Sequence, residues 1–437
     1  MLSKCSACGV LHHNIRGVIG VRGAFRLSPG HRKDAMTKSQ LIFDPFSEEF
    51  FTDPYETYRR MRQEAPVYYN EQHDFYALTR HEDVAAAFKD YETYSSAQGI
   101  DLAMVKSGGV PREQKSIIFM DPPEHRRMRS LVNKVFTPRA IGALQPMVTD
   151  LIERLLSAVP DDQFDVVQDF SALFPVEVIT TMLGVPAEHR QQIRHWVDRS
   201  LHREPGQIEM DEGGWEAVTQ IGLVYYDLIQ QRREHPQEDM ISRLIAAEVE
   251  RDDGEKTRLD DIEIAGFAVL LGGAGAETVT KLVANAVVMF ARHPDQWQKL
   301  LDDRGKIPAA VEEVLRYEAP AQYNVRYSLK EVQLHSVTIP AGKPVFLVGG
   351  SANRDPEAFT DADEFDIDRD RAEAQNVGFG YGIHSCLGAA LARMESAIAL
   401  EKLLDFMPRY EVIWDGCRRV SMQNVAGWSH VPVKVLR

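Results

Sequence analysis

Cys386 is the residue whose surroundings promise chemistry. It stands in Phe379-Gly380-Tyr381-Gly382-Ile383-His384-Ser385-Cys386-Leu387-Gly388, just ahead of a helical pattern over Leu387–Asp405 with Leu387, Leu391, Met394 and Ile398 on one face. The glycines let main chain take unusual conformations and approach a ligand closely. Amides at a helix start favour negative charge, which lowers a thiol's pKa and holds it as thiolate. A sulfur held in that way suits axial ligation of haem iron, where it pushes electron density toward O–O cleavage. A plain structural thiol before a helix is the duller alternative, and the surrounding Phe, Gly and His pattern is far more specific than that. Cys417 lacks such surroundings and reads as structural.

Three other segments carry chemistry-bearing residues. In Ala274-Gly275-Ala276-Glu277-Thr278 an acid and an alcohol interrupt a long apolar helix, Leu259–Arg292, capped at Asp260 or Asp261. Gly272, Gly273 and Gly275 each lower helix propensity by up to about 1 kcal/mol relative to Ala. Close helix packing, with Thr278 bonded back to Ala274, would explain them. A locally opened helix in which Thr278 and Glu277 steer protons explains the ionisable group as well, and is the favoured reading. Glu313-Val314-Leu315-Arg316 places acid and base on one helix face, which by itself reads as a solvated pair worth a few tenths of a kcal/mol. Asp121-Pro122-Pro123-Glu124-His125-Arg126-Arg127-Met128-Arg129 starts a basic helix with His125 and Arg129 on one face, able to donate to carboxylates.

Together these segments resemble the cytochrome P450 family, and the resemblance extends over nearly all of the chain from about residue 44. It implies a mainly α fold with minor β, the haem (iron protoporphyrin IX, haem b) sandwiched between the long central helix and the Cys386 loop. By the same resemblance Cys386 is the proximal iron ligand, with Phe379 packed on the loop beside Gly388. His125, Arg129, Arg326 and His384 would hold propionates, and Gly275 would lie against the cofactor. Thr278 and Glu277 would form the acid–alcohol pair of O₂ activation. Glu313 and Arg316 become a buried structural pair completed by Arg369, with Asn353-Arg354-Asp355-Pro356 just upstream. Tyr327 after Arg326 departs from the smaller residues common there.

The implied reaction inserts one atom of O₂ into a hydrophobic small molecule, whether lipid, terpenoid, sterol or polyketide. Electrons would come from a separate ferredoxin or flavodoxin and its reductase, docking by charge on Arg126, Arg127 and Lys134. A peroxide-using haem-thiolate enzyme and a non-catalytic haem sensor or carrier are the alternatives; the Glu277–Thr278 pair speaks against the second. The apolar search region for substrate is Ile100, Leu102, Ala103, Met104, Val105, Leu201, Val269, Ala321, Tyr323, Val325, Val425 and Trp428.

The elements that must position these residues follow from pattern. Val67–Asn70 and Phe75–Leu78 read as a hairpin, Ser95–Gly109 as loop, and His81–Lys89, His125–Phe136, Pro138–Ala158, Ala187–Arg203 and Glu212–Arg233 as helices. Short strands occupy Leu329–Val348 around Pro340-Ala341-Gly342, and a closing pair lies at Glu411–Trp414 and Val431–Leu436. With 437 residues, 44% hydrophobic, the chain can bury a large core. Its net charge of −15 argues against nucleic acid or anionic lipid as a general partner. Four cysteines are too few for a disulfide framework, which favours a reducing, cytoplasmic setting. No apolar run approaches the roughly 18–20 residues that span a bilayer, so no membrane anchor is expected. Residues 1–43 read as a basic, disordered extension, with Met36 a possible alternative start, and residues 44–437 as one catalytic domain. Cys5, Cys8, His12 and His13 could hold a metal only weakly, lacking a second pair at zinc-site spacing.

Overall fold

Asp260 opens the longest helix, Asp261–Arg292. Its carboxylate accepts from the Glu263 N–H at 2.8 Å, and the Glu263 side chain accepts from the Asp260 N–H at 2.9 Å. This reciprocal cap satisfies two donors that a helix start leaves unpaired. The computed structural model describes residues 40–110, 116–133, 136–159, 162–250, 254 and 256–437. The readings at Cys5, Cys8, His12, His13, Met36 and Lys134 lie outside the described residues.

Residues 41–437 form one compact unit built around the central helix. Helices Phe174–Leu183, Ala187–Leu201, Glu212–Glu234, Ile307–Tyr317 and Ala389–Phe406 pack against it. From Val279 to Phe290 the central helix is buried on every side, as an all-round apolar helix must be. The minor β part is a five-stranded sheet ordered Val67–Asn70, Phe75–Leu78, Pro344–Leu347, Asn324–Ser328, Tyr94–Ser95, with only the second and third strands parallel. A three-stranded sheet joins Tyr410–Val412, Pro432–Val435 and Gln163–Asp165. The mainly α, minor β expectation agrees with this architecture.

Several local expectations are corrected. Pro138–Ala158 is two helices, Pro138–Gly142 and Gln145–Ser157, because the ring of Pro146 cannot follow a helical Gly142 carbonyl and instead starts a new helix. The Ser95–Gly109 loop contains a helix, Leu102–Lys106, capped by Asp101, which accepts from the Met104 N–H at 2.7 Å. Phe43 is only 1% exposed and meets Phe50, Tyr58, Phe75 and Phe346 edge-on or tilted, so the folded part begins ahead of Asp44. Val166–Leu183 and Asp261–Arg292 are long and apolar enough to cross a bilayer, contrary to the expectation of no such run. Both spend their apolar faces inside the domain, in the two largest core clusters.

The Glu313–Arg316 pair is not the solvated surface pair that its bare spacing suggests. The two side chains are 4% and 3% exposed. Arg316 donates to both carboxylate oxygens of Glu313 at 2.8 Å and to the carbonyls of Asn353, Ala362 and Glu364. Arg369 adds its Nε at 3.3 Å from the same carboxylate, and the Asp366 N–H donates to it at 3.0 Å. Segment 353–369 therefore folds over this helix face and satisfies every charge it covers. Removing one member leaves an uncompensated buried charge, which costs about 3–5 kcal/mol. Glu313→Ala is expected to lose that much stability in denaturant unfolding of the haem-loaded protein; a change under about 1 kcal/mol, the value of an exposed pair, would contradict the buried assignment.

Candidate active site

The backbone of the Cys386 loop explains its glycines. Gly380 and Gly382 have φ of +66° and +69°. A Cβ on Gly382 would also stand 2.5 Å from the Phe88 carbonyl of helix His81–Lys89, so only glycine fits. The Gly380 N–H donates to Val377 O and the Cys386 N–H to Phe379 O, each at 2.8 Å, which folds the loop back on itself. Phe379 lies under the Arg393 guanidinium at 4.5 Å and packs on the main core. Helix Ala389–Phe406 then starts behind Gly388.

The Cys386 sulfur lies deep within the fold yet is accessible, so it lines a recess. Its neighbour Leu387 packs in the same apolar cluster as Leu271 and Ala276 of the central helix and Met128 of the basic helix Glu124–Asn133. Burial pushes the thiol above its usual pKa, opposed by the Gly388 N–H, Arg129 and Arg393. The expected lowering by helix-start amides is therefore present in kind and outweighed by desolvation.

Beside the sulfur, four cationic or basic side chains converge with little to neutralise them. His125 and His384 rings stand 4.4 Å apart, centre to centre. The Nε2 atoms of both are buried without a hydrogen-bond partner. Desolvation first, then Arg129, lowers His125 to about 4. Desolvation, then Arg326 and His125, lowers His384 to about 3. Arg326 is 5% exposed and donates to its neighbour's carbonyl, Val325 O; burial lowers it to about 10, opposed by Asp121 alone. Asp121 is itself engaged by the Ser95 hydroxyl at 2.5 Å and the Ser96 N–H at 3.1 Å. Arg129 donates to Asn133 at 3.2 Å and interacts with Cys386. Buried polar groups left unpaired are costly, and two anionic carboxylates would satisfy these.

On the central helix the favoured opening is absent: Asp261–Arg292 runs unbroken, and the Thr278 hydroxyl donates to Ala274 O at 2.9 Å. Gly272 and Gly275 serve packing instead. A Cβ on Gly275 would press within 3.0 Å of Ile179, and one on Gly272 would collide with the Tyr225 hydroxyl. Gly275 is thus placed against helix Phe174–Leu183. Gly273, Ala274 and Thr278 are part or fully exposed, as are Ile262, Gly266, Val269 and Leu270 nearer the helix start. Glu277, pointing about 100° away from Thr278, is buried. Its Oε1 lies 2.5 Å from Lys281 Nζ, close enough for an ion pair though poorly aligned for a hydrogen bond. Desolvation raises the Glu277 pKa, Asp198 raises it further and Lys281 opposes. Lys281 was legible as an i+4 cation in an apolar helix and was missed; Asp198 comes from another helix and carried no local signal.

The apolar search region divides. Leu102, Val105, Tyr323, Val325 and Trp428 are core, and the Tyr323 hydroxyl donates to Gln423 O at 2.7 Å. Ile100, Ala103, Met104, Leu201, Val269 and Ala321 are part exposed. Leu201 packs on Met422 and Val425, and Ala321 bridges Val425, so the end of helix Ala187–Leu201 and the last hairpin meet.

An accessible sulfur beside two imidazoles with unpartnered Nε2 atoms, and two guanidiniums that form no ion pair with a carboxylate among the described residues, fits an iron porphyrin carrying two carboxylates, which places this fold with the haem-thiolate proteins. The family model for cytochrome P450 matches residues 46–202 and 215–412. Cytochrome P450 123 of Mycobacterium tuberculosis (strain H37Rv) is 41% identical over 397 residues, covering 91% of this chain and 97% of that one. The cyclomarin C epoxidase CymV of Salinispora arenicola is 40% identical, covering 81% and 89%. The solved structure of CYP109E1 from Bacillus megaterium in complex with testosterone superposes with a TM-score of 0.81 at 31% identity, covering 89% and 99%. The chain belongs to the cytochrome P450 family; it is a haem-thiolate monooxygenase whose cofactor is haem b.

A charge-assisted hydrogen bond is worth about 1.5–3 kcal/mol, roughly ten- to a hundredfold in affinity. Arg326→Leu is accordingly expected to speed haem loss to excess apomyoglobin by about tenfold or more; an unchanged rate would remove Arg326 from the cofactor's anchors.

Proposed function

We propose that this P450 inserts one oxygen atom into a C–H or C=C bond of a hydrophobic small molecule, a lipid, terpenoid, sterol or polyketide. Electrons come from a separate ferredoxin or flavodoxin and its reductase. The observation that carries the reading is the accessible Cys386 sulfur in its glycine-framed loop, with the Nε2 atoms of His125 and His384 buried and unpartnered beside it. Haem, when bound, supplies the redox-active iron on which O₂ is reduced. Cys386 would ligate that iron and raise electron density on it. His125, Arg129, Arg326 and His384 would hold its carboxylates and so orient it.

The Thr278 hydroxyl, part exposed on the central helix, holds and passes a proton, with Glu277 as its acid. Ile100, Ala103, Met104, Leu201, Val269 and Ala321 supply an apolar wall that excludes water from the reacting bond. Two similar proteins are named for matching chemistry: an epoxidase, and a structure holding testosterone. Arg126 is exposed on the helix whose Arg129 interacts with Cys386, so an acidic carrier drawn to it would dock on the side of the fold that holds the sulfur. We place the enzyme in the cytoplasm: its long apolar helices are spent in the core, and Cys386 and Cys417 are free thiols.

The test is turnover of a lipophilic library under ¹⁸O₂ with a ferredoxin and its reductase. One labelled atom per product is expected, and Thr278→Ala should lower product per O₂ by roughly tenfold or more, with peroxide released in its place. Product formation that needs only added peroxide, and is indifferent to Thr278→Ala, would contradict the reading.

A further inference from the structure

Helix Glu212–Glu234 keeps Ala217, Ile221, Tyr225 and Leu228 inside the domain, three or four residues apart, and so turns Thr219, Leu223 and Tyr226 outward. A surface helix ordinarily gives its outer face to polar side chains. Here Trp215, Leu223 and Tyr226 are 48%, 52% and 45% exposed. At about 100° per residue all three fall on one outer strip, with Thr219 between them. Gly222 borders the same strip, and a Cβ there would meet nothing within 4 Å. The C-terminal end of the strip is tied to the start of the central helix: Gln230 donates to Asp261 at 2.8 Å, and the Arg233 Nε donates to it at 2.7 Å. Ile262, the next residue, is 52% exposed and extends the apolar surface there. A lone exposed apolar side chain needs no explanation, whereas a contiguous patch rimmed by polar groups marks an interaction site.

The charges select the occupant. A helix that lies on a lipid surface carries Lys or Arg along its polar margin. The exposed residues flanking this strip include Glu216, Asp227 and Glu234, in a chain of net charge −15. Along the strip itself Glu212 stands at the start and Arg233 at the end, and their midpoint falls between Gly222 and Leu223. A second copy laid antiparallel about a two-fold axis at that midpoint brings Glu212 of each helix opposite Arg233 of the other. Arg233 gives Asp261 its Nε and one terminal nitrogen, and a guanidinium has five N–H donors, so a second carboxylate can be held. The same register sets Tyr226 against Thr219, and Trp215 against Gln230 beside Ile262. Leu223 meets its own copy near the axis, and Gly222 adds no side chain where the backbones come closest.

We propose that this outer face is a homodimer interface, two copies of the chain pairing helix Glu212–Glu234 antiparallel about a two-fold axis between Gly222 and Leu223. A strip of 23 residues is about 34 Å long and about 10 Å wide, less than the roughly 800 Å² per partner of a standard interface. The dimer is therefore in equilibrium with monomer and follows concentration.

Sedimentation velocity of the full-length, haem-loaded chain across the micromolar range reads the association. The weight-average sedimentation coefficient should climb from the monomer's value toward the dimer's. Leu223→Glu, which sets two like charges face to face at the axis, should raise the dissociation constant by about tenfold or more with haem content and spectrum unchanged. Leu223→Cys should join two copies under mild oxidation, and Gln231→Cys, exposed on the flank of the same helix, should not. A chain that stays monomeric throughout, or a dimer indifferent to Leu223→Glu, would overturn the interface. So would a monomer that binds phosphatidylcholine vesicles and loses that binding in Leu223→Glu, which would give the face to lipid.

Discussion

Burial drives the Cys386 thiol toward its protonated form, and only the Gly388 N–H, Arg129 and Arg393 pull the other way. A coordinating metal cation deprotonates a thiol outright, so the sulfur's anionic state and the iron's place are a single event. The surrounding protein is arranged for that event. Gly380 and Gly382 turn the loop, and Gly382 lets it rest on the Phe88 carbonyl. The cofactor's own charge would settle the rim, where His125, His384 and Arg326 hold buried positive or proton-donating capacity with only Asp121 opposite. Site and cofactor are electrostatic halves of one structure.

Rigidity at that loop is supplied from a distance. Glu313, Arg316 and Arg369 clamp segment 353–369 onto helix Ile307–Tyr317, and Asn353 in that segment accepts the Val377 N–H at 2.7 Å, two residues before Phe379. Gly378 then lies so close to Leu315 that a Cβ there would stand 2.7 Å away. Charge cluster, helix and cysteine loop are thereby one mechanical unit. On the opposite side, the central helix uses Gly272 and Gly275 for close approach to Tyr225 and Ile179, which brings helices Glu212–Glu234 and Phe174–Leu183 into contact with it.

What was legible in the sequence was local. The Asp260–Glu263 cap, the Val67–Asn70 hairpin and the glycine frame of Cys386 each follow from residues within a few positions of one another. Spacing placed Glu313 and Arg316 on one face but could not tell buried from exposed, because the covering segment is 37 or more residues away from Arg316. Gly272 and Gly275 of the central helix suggest an opening from sequence but mark packing partners, Tyr225 and Ile179, that no local pattern reveals. Asp198 was silent for the same reason. Pro146, by contrast, was a local signal left unread, and it divides Pro138–Ala158 in two.

The bond from Cys386 to haem iron is tested most directly by the absorption of the reduced, carbon monoxide-bound protein, comparing wild type with Cys386→Ser and Cys417→Ser at equal haem content. The account predicts the strongly red-shifted Soret band of thiolate ligation in the wild type and in Cys417→Ser, and its loss in Cys386→Ser. The same band in all three proteins, or its absence from the fully loaded wild type, would contradict it.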